Sequence, residues 1–178
     1  MAVAEEQVVL VDETGRAIGL AGKLDAHRTG LLHLAISVLV HDGAGRQLLQ
    51  KRQFGKYHSQ GEWSNACCSH PRPGETPLAA ANRRLHEEMG FSCALSPLFV
   101  TTYRHDVGNG LVEHEYVHVF SGQHLGPVAP DPAEADGYQW LAFSDLLAET
   151  EANPQSYSPW LRIYLKSHGD CIRAAMNA

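Results

Sequence analysis

No apolar run in this chain approaches the length of a membrane span, so neither a helical anchor nor a membrane partner is expected. Basic residues are outnumbered: 14 Lys and Arg stand against 20 Asp and Glu, a formal net charge of −6. That balance argues against a general nucleic-acid or anionic-membrane surface, while leaving room for a local basic pocket for a small anion. Cysteine is scarce, with four in 178 residues. The N-terminal MAVAEEQVVLV has no basic segment ahead of its short apolar run, so it reads as a first strand rather than a secretory signal. Few cysteines without a signal imply reduced thiols and a cytoplasmic protein. Internal repeats and low-complexity linkers are absent too. The length suits one domain over residues 1–178, expected as a monomer or weak dimer. Histidine alone is abundant, with eleven copies.

What is present reads as mixed α/β structure. Val8–Val11 and Leu34–Val40 are apolar strands, and the turn residues Asp42-Gly43-Ala44-Gly45 lead from the second into Gln47–Arg52 as a hairpin. Residues 53–76, rich in Gly, Ser, His and Pro, read as a long loop of the kind that tends to be functional. Thr76 as N-cap and Pro77 in the first turn open a helix that Gly90 closes. Leu98–Arg104, Val112–Phe120 and Tyr138–Phe143 are further strands. Ser144 starts a short helix, and Ser158-Pro159 a longer C-terminal one.

The 23 positions from Ser69 to Phe91 hold Ser69-x5-Glu75-x7-Arg83-Arg84-Leu85-His86-Glu87-Glu88-Met89-Gly90-Phe91. They resemble the Nudix box, G-x5-E-x7-R-E-U-x-E-E-x-G-U, with U a bulky aliphatic residue. Two positions depart from it. The opening Gly is Ser69, and Arg84 stands where the family carries a glutamate that is a chief metal ligand. The resemblance implies an α/β (α+β) sandwich with a mixed sheet and the box helix packed on it. The exchange of a metal ligand for a cation implies a box that binds a diphosphate without hydrolysing it. Helical spacing puts Leu78, Ala81, Leu85 and Met89 on one face, toward the sheet. Arg84 and Glu88, at i and i+4, lie along the rim of that face, with Glu87 more nearly opposite. On a helix without such a box they would be an ordinary exposed ion pair worth a few tenths of a kcal/mol.

Ahead of the box stands Ser64-Asn65-Ala66-Cys67-Cys68-Ser69-His70-Pro71; later come Tyr103-x9-Glu113-His114-Glu115 and Ser158-Pro159-Trp160. Together with His27 and His33 these segments resemble, from about Val8 to Trp160, the type I isopentenyl-diphosphate isomerases, a branch of the Nudix superfamily. Strand alternation puts Glu113 and Glu115 on one face, with His114, Tyr116 and His118 on the other. Two neighbouring carboxylates repel unless a cation or proton lies between them. With His27, His33 and His70 they would complete a three-His, two-Glu metal site. Such donors accept Zn²⁺, Mn²⁺ or Mg²⁺, and the ligand types alone do not choose.

The resemblance further implies a substrate and a division of roles. The substrate is a small isoprenoid diphosphate, isopentenyl diphosphate, converted to dimethylallyl diphosphate by a 1,3-allylic rearrangement. Cys68 would serve on one side of the alkene and Glu115 with Tyr103 on the other; Cys67 falls at a variable position. A thiolate at Cys68 would gain from a metal-bound histidine and a helix N-terminus. Trp160 would offer its π face to the carbocation. Lys23, Arg52, Lys56 and Arg84 match the family's basic contacts, and Glu88 would hold the Mg²⁺ that bridges the phosphate oxygens. A Nudix hydrolase of a nucleoside diphosphate derivative would require a glutamate at Arg84 and would leave Cys68, His70 and the glutamate pair without a role. A non-catalytic Nudix binding domain would tolerate Arg84 but would not require a complete metal set.

Overall fold

In the computed structural model, which describes residues 6–177, strand β3 (His33–His41) is apolar at most positions because both its faces are covered. Ala35 and Leu39 face helices α3 (Phe143–Ala152) and α4 (Pro159–Ala175), in a core with Leu146, Leu161 and Tyr164. Ile36, Val38 and Val40 belong instead to a core with Ala80, Ala81, Leu85 and Met89 of helix α2 (Pro77–Met89). Three layers result: α2, a nine-stranded mixed sheet, and the α3–α4 pair. The expected sandwich is therefore present, with the box helix on one face. The first five residues of the N-terminal segment lie outside the described residues.

Local chemistry accounts for the box helix. Thr76 Oγ1 accepts from the Ala79 amide at 3.2 Å, and Pro77 occupies the first turn. Gly90 ends the helix with a left-handed φ of 75°. A Cβ there would sit 2.3 Å from the Ala129 carbonyl oxygen, so only glycine fits. Leu85 and Met89 are fully buried, each worth roughly 1.5–3 kcal/mol of apolar burial. Leu78 departs from the expected buried stripe and is 42% exposed.

Two expectations need correction. The hairpin after β3 barely pairs: β4 (Arg46–Arg52) meets β3 at His41↔Gln47 alone. The two strands then diverge, β4 pairing with β9 (Ala135–Ala142) and β3 with β8 (Leu111–Gln123). The long loop 53–76 is not wholly irregular either. It contains β5 (Trp63–Asn65), paired with β4, and β6 (Cys67–Ser69), paired with β3, on either side of Ala66. This segment bridges the opening between β3 and β4. Strands β1 (Gln7–Val11) and β2 (Ala17–Gly22) form an edge hairpin that leads into helix α1 (Lys23–Thr29). The remaining strand, β7 (Leu95–Gly108), runs antiparallel to β8.

Candidate active site

Register brings the site residues together. β3 and β8 are parallel, with His33 opposite Glu115. Continuing down each strand, Ala35 and Leu39, and Val117 and Val119, enter the α3–α4 core. The histidine and the two glutamates are thus the polar end of an apolar row, where a small, partly open cavity begins. It is lined by Cys68, His70, Tyr103, Glu113, Glu115 and Trp160 at one end and by Lys23, Arg52, Lys56, Arg84 and Glu88 at the other.

One donor atom from each of His27, His33, His70, Glu113 and Glu115 lies within 4.8 Å of all the others, and every one of these residues is buried. The tautomers suit a cation. His27 Nδ1 lies 2.6 Å from the Lys23 carbonyl and His33 Nδ1 2.8 Å from that of Leu31, so each Nδ1–H donates outward and each Nε2 faces the cluster bare. His33 Nε2 and His70 Nε2 are 3.2 Å apart, while His27 Nε2 and Glu113 Oε2, 3.4 Å apart, are buried without a hydrogen-bond partner. Orphaned acceptors converging on one point cost stability unless a cation joins them. Burial holds the His70 ring down at about 4, so it stays neutral and able to ligate. Burial also opposes charge on Glu113, but the neighbouring His27 and His58 rings outweigh it and keep that carboxylate well below its usual range. The residues present fit a divalent metal ion.

At the other end each cation has an internal partner. Lys23 Nζ is 2.9 Å from Glu6 Oε2, and Lys56 pairs with Glu134. Arg84 contacts Glu87 and Glu88 at 2.8 Å and Glu134 at 3.0 Å. Arg52 instead donates to the carbonyls of His58 and Ser59, each at 3.2 Å, with its guanidinium 5.0 Å from the Trp160 ring centroid. Glu88 is buried by α2 and also accepts from Gln50 Nε2 at 2.9 Å. Gln50 lies on β4 and also donates to the Ala66 carbonyl, so the bridging segment fixes it.

Alternation along β6 separates the adjacent cysteines. Cys67 is fully buried in the α2 core, whereas Cys68 packs toward α3 and α4 and lines the cavity. The Cys68 thiol donates to Asn65 Oδ1 at 3.2 Å; Asn65 Nδ2 donates to Ser37 Oγ at 2.9 Å, and Ser37 Oγ lies 3.0 Å from the sulfur. This closed ring of bonds holds a protonated thiol. Burial pushes Cys68 up to about 12, against those hydrogen bonds, and the Glu115 carboxylate adds to the rise. These protein surroundings by themselves favour the thiol over the thiolate expected beside a metal-bound histidine. Cys68 sits in strand β6, nine residues before α2 begins. Tyr103 OH donates to Glu115 Oε2 at 2.6 Å, and burial, then Glu115, keeps the phenol protonated. Trp160 is buried, its Nε1 donating to Ser64 Oγ at 2.9 Å, so its ring is both a core element and a cavity wall.

The structure therefore places every candidate site residue except His27 and His33 on the cavity wall, and sets those two behind it against His70, Glu113 and Glu115. It also adds residues that sequence patterns did not single out: Gln50, Tyr57, His58 and Glu134. His58 and Tyr57 stand in an irregular stretch without periodicity, so only their adjacency to Lys56 and the high histidine count hinted at them.

The NUDIX domain family matches residues 31–161. An "Isopentenyl-diphosphate Delta-isomerase 2" from Aromatoleum aromaticum is 50% identical over 157 residues, 88% of this chain and 83% of that protein. An isopentenyl-diphosphate Delta-isomerase from Burkholderia multivorans is 46% identical over 165 residues, 93% of this chain and 94% of that one. Among solved structures, one from Deinococcus radiodurans superposes with a TM-score of 0.75 at 16% identity, covering 92% of this chain and 99% of that chain. A MutT NUDIX hydrolase from Burkholderia pseudomallei gives 0.62 at 24% identity, covering 77% and 98%. These two likenesses concern the fold alone. By both its fold and its relatives, the chain belongs to the Nudix family and, within it, to the isopentenyl-diphosphate Delta-isomerases.

Proposed function

We propose that the protein isomerises isopentenyl diphosphate to dimethylallyl diphosphate, a step of isoprenoid biosynthesis. The observation that carries this reading is one cavity bordered by a five-donor His/Glu cluster, a thiol, a carboxylate-bound phenol and a row of cations. In this reading the chain is one cytoplasmic domain, a monomer or weak dimer, with reduced thiols.

Lys23, Arg52, Lys56 and Arg84 would bind the diphosphate, and Glu88 would hold a Mg²⁺ ion supplying further positive charge. His27, His33, His70, Glu113 and Glu115 hold Mn²⁺, Mg²⁺ or Zn²⁺. When bound, that second ion supplies positive charge that acidifies the groups around Glu115. The reaction adds a proton to the terminal alkene carbon, passes through a tertiary carbocation, and removes a proton from the carbon on the far side of the cationic centre. It needs a proton donor, an acceptor, and exclusion of water. Tyr103 with Glu115 forms one of these partners and Cys68 the other. Trp160 contributes a ring face that stabilises the cation by ~2 kcal/mol in a desolvated site.

Incubation with isopentenyl diphosphate and Mg²⁺ in D₂O should yield deuterated dimethylallyl diphosphate. Release of inorganic phosphate or a mononucleotide, with no deuterium in the isoprenoid, would overturn the reading.

A further inference from the structure

Glu113 and Glu115 are held alike. Glu115 gives Oε2 to the Tyr103 hydroxyl at 2.6 Å and turns Oε1 toward His70 and His33, at 2.9 and 3.7 Å. Glu113 gives Oε1 to His58 Nε2, also at 2.6 Å, and turns Oε2 toward His27. His58 is not one of the five converging donors. Its ring is buried, 4.5 Å from Tyr57 and 5.9 Å from Trp160 between centroids, edge-on to both. Its Nδ1 is buried without a partner among the described residues, so the proton belongs on Nε2, where it meets the carboxylate. The backbone fixes the ring as well. Ser59 adopts a left-handed φ of 49°, and the His58 carbonyl accepts from Arg52.

We propose that His58 is a positioning residue for the metal centre. It occupies one oxygen of Glu113, prevents that carboxylate from turning or chelating through both oxygens, and presents the orphaned Oε2 to the ion. The inference rests on the metal-bearing reading above and adds a residue to it. Donors of this kind set the orientation of a ligating carboxylate, and their loss lowers metal affinity about 10–100-fold. His58 also joins the two ends of the cavity, since the Arg52 bound at its carbonyl is one of the cations proposed for the diphosphate.

The test compares Mn²⁺ binding by the purified apoprotein, followed through the EPR signal of free Mn²⁺, in wild type, His58→Gln and His58→Leu. Glutamine keeps an N–H near the position of Nε2; leucine fills space without a donor. Expected are a dissociation constant raised about 10–100-fold for His58→Leu and much closer to wild type for His58→Gln. Equal affinity in all three proteins would overturn the proposal. So would equal weakening in both variants, or failure of His58→Gln to fold, since either would make the ring a packing element. A wild type that binds no Mn²⁺ would instead sink the metal-bearing reading itself.

Discussion

The adjacent cysteines offer a sharp test of how the site is built. In strand β6, Cys68 is registered with Ser37 and Cys67 with Val38, so the two side chains leave opposite faces of the sheet. Cys68→Ala removes a thiol from the cavity wall and should cost little stability, since only weak sulfur hydrogen bonds are lost. A positioned proton-transfer group contributes typically about 10²–10⁴ in rate, or roughly 3–5 kcal/mol of barrier. Turnover should fall by at least that factor. Cys67→Ala acts on the other side, where the sulfur packs among Ala80, Ala81, Leu85 and Met89. Loss of a buried group of that size costs about 1 kcal/mol, or about 2–4 °C in Tm for a chain of this length. Deuterium incorporation from D₂O, followed by NMR, reads the chemistry, and a thermal melt reads the packing. The expected result is a double dissociation: Cys68→Ala folded and inactive, Cys67→Ala less stable and active. If Cys67→Ala is the inactive variant, β6 is shifted by one residue, which would invert every side chain in it and refute the placement of the thiol.

Three other perturbations probe separate parts of the site. Tyr103→Phe removes the phenolic donor to Glu115 and leaves a buried carboxylate oxygen unsatisfied, a penalty of about 1–3 kcal/mol; steady-state kinetics should show kcat falling with KM little changed, and an unaltered kcat would remove Tyr103 from the proton path. Glu75 accepts two hydrogen bonds from Arg83, at 2.7 and 2.8 Å, and that pairing holds its pKa at about 2 instead of 4.5. Because the folded-state pKa is depressed, this stabilisation is complete above about pH 4.5 and fades as pH falls toward 2. Glu75→Gln should therefore lower Tm at pH 7 and narrow its gap to wild type on acidification, and a gap independent of pH would contradict the ion-pair account. Dialysis against a chelator should lower both Tm and turnover, because the ion stabilises the native state by mass action; an unchanged Tm would mean that the His/Glu cluster holds no metal.

Features that depend on local repetition or fixed spacing were legible in the sequence. The box helix, its cap at Thr76 and its glycine stop each follow from a few neighbouring residues. Alternation alone put Glu113 and Glu115 on one face of β8. The protonation of Cys68 was not legible, because it depends on Asn65 and Ser37, the latter 31 residues away on another strand. His58 was hidden for a related reason. Its partner Glu113 lies on β8, and a histidine in an irregular, glycine-rich stretch carries no period that betrays a buried ring. The divergence of β3 and β4 was concealed by a turn signal that specifies a reversal of direction but not how far the strands stay paired.

That divergence explains how a box helix packed on one face of a sheet serves a site on the other. Bridged by residues 63–69, the opening between β3 and β4 lets Gln50 reach Glu88, and it lets Arg84 and Glu88 border the cavity that Cys68 and Trp160 enter from the α3–α4 side. In a hydrolase box, a glutamate at position 84 would stand one turn before Glu88, and two carboxylates at that spacing favour a metal ion beside the phosphate. Arg84 changes the local charge from −1 to +1 and already spans Glu87, Glu88 and Glu134. A guanidinium in that place can grip phosphate oxygens but cannot ligate a cation that activates water. In the proposed reading, the substitution would withdraw phosphate chemistry from the helix while leaving it able to hold the diphosphate. What would remain for reaction in that reading is the hydrocarbon, in the cavity that Cys68 and the Tyr103–Glu115 pair line together.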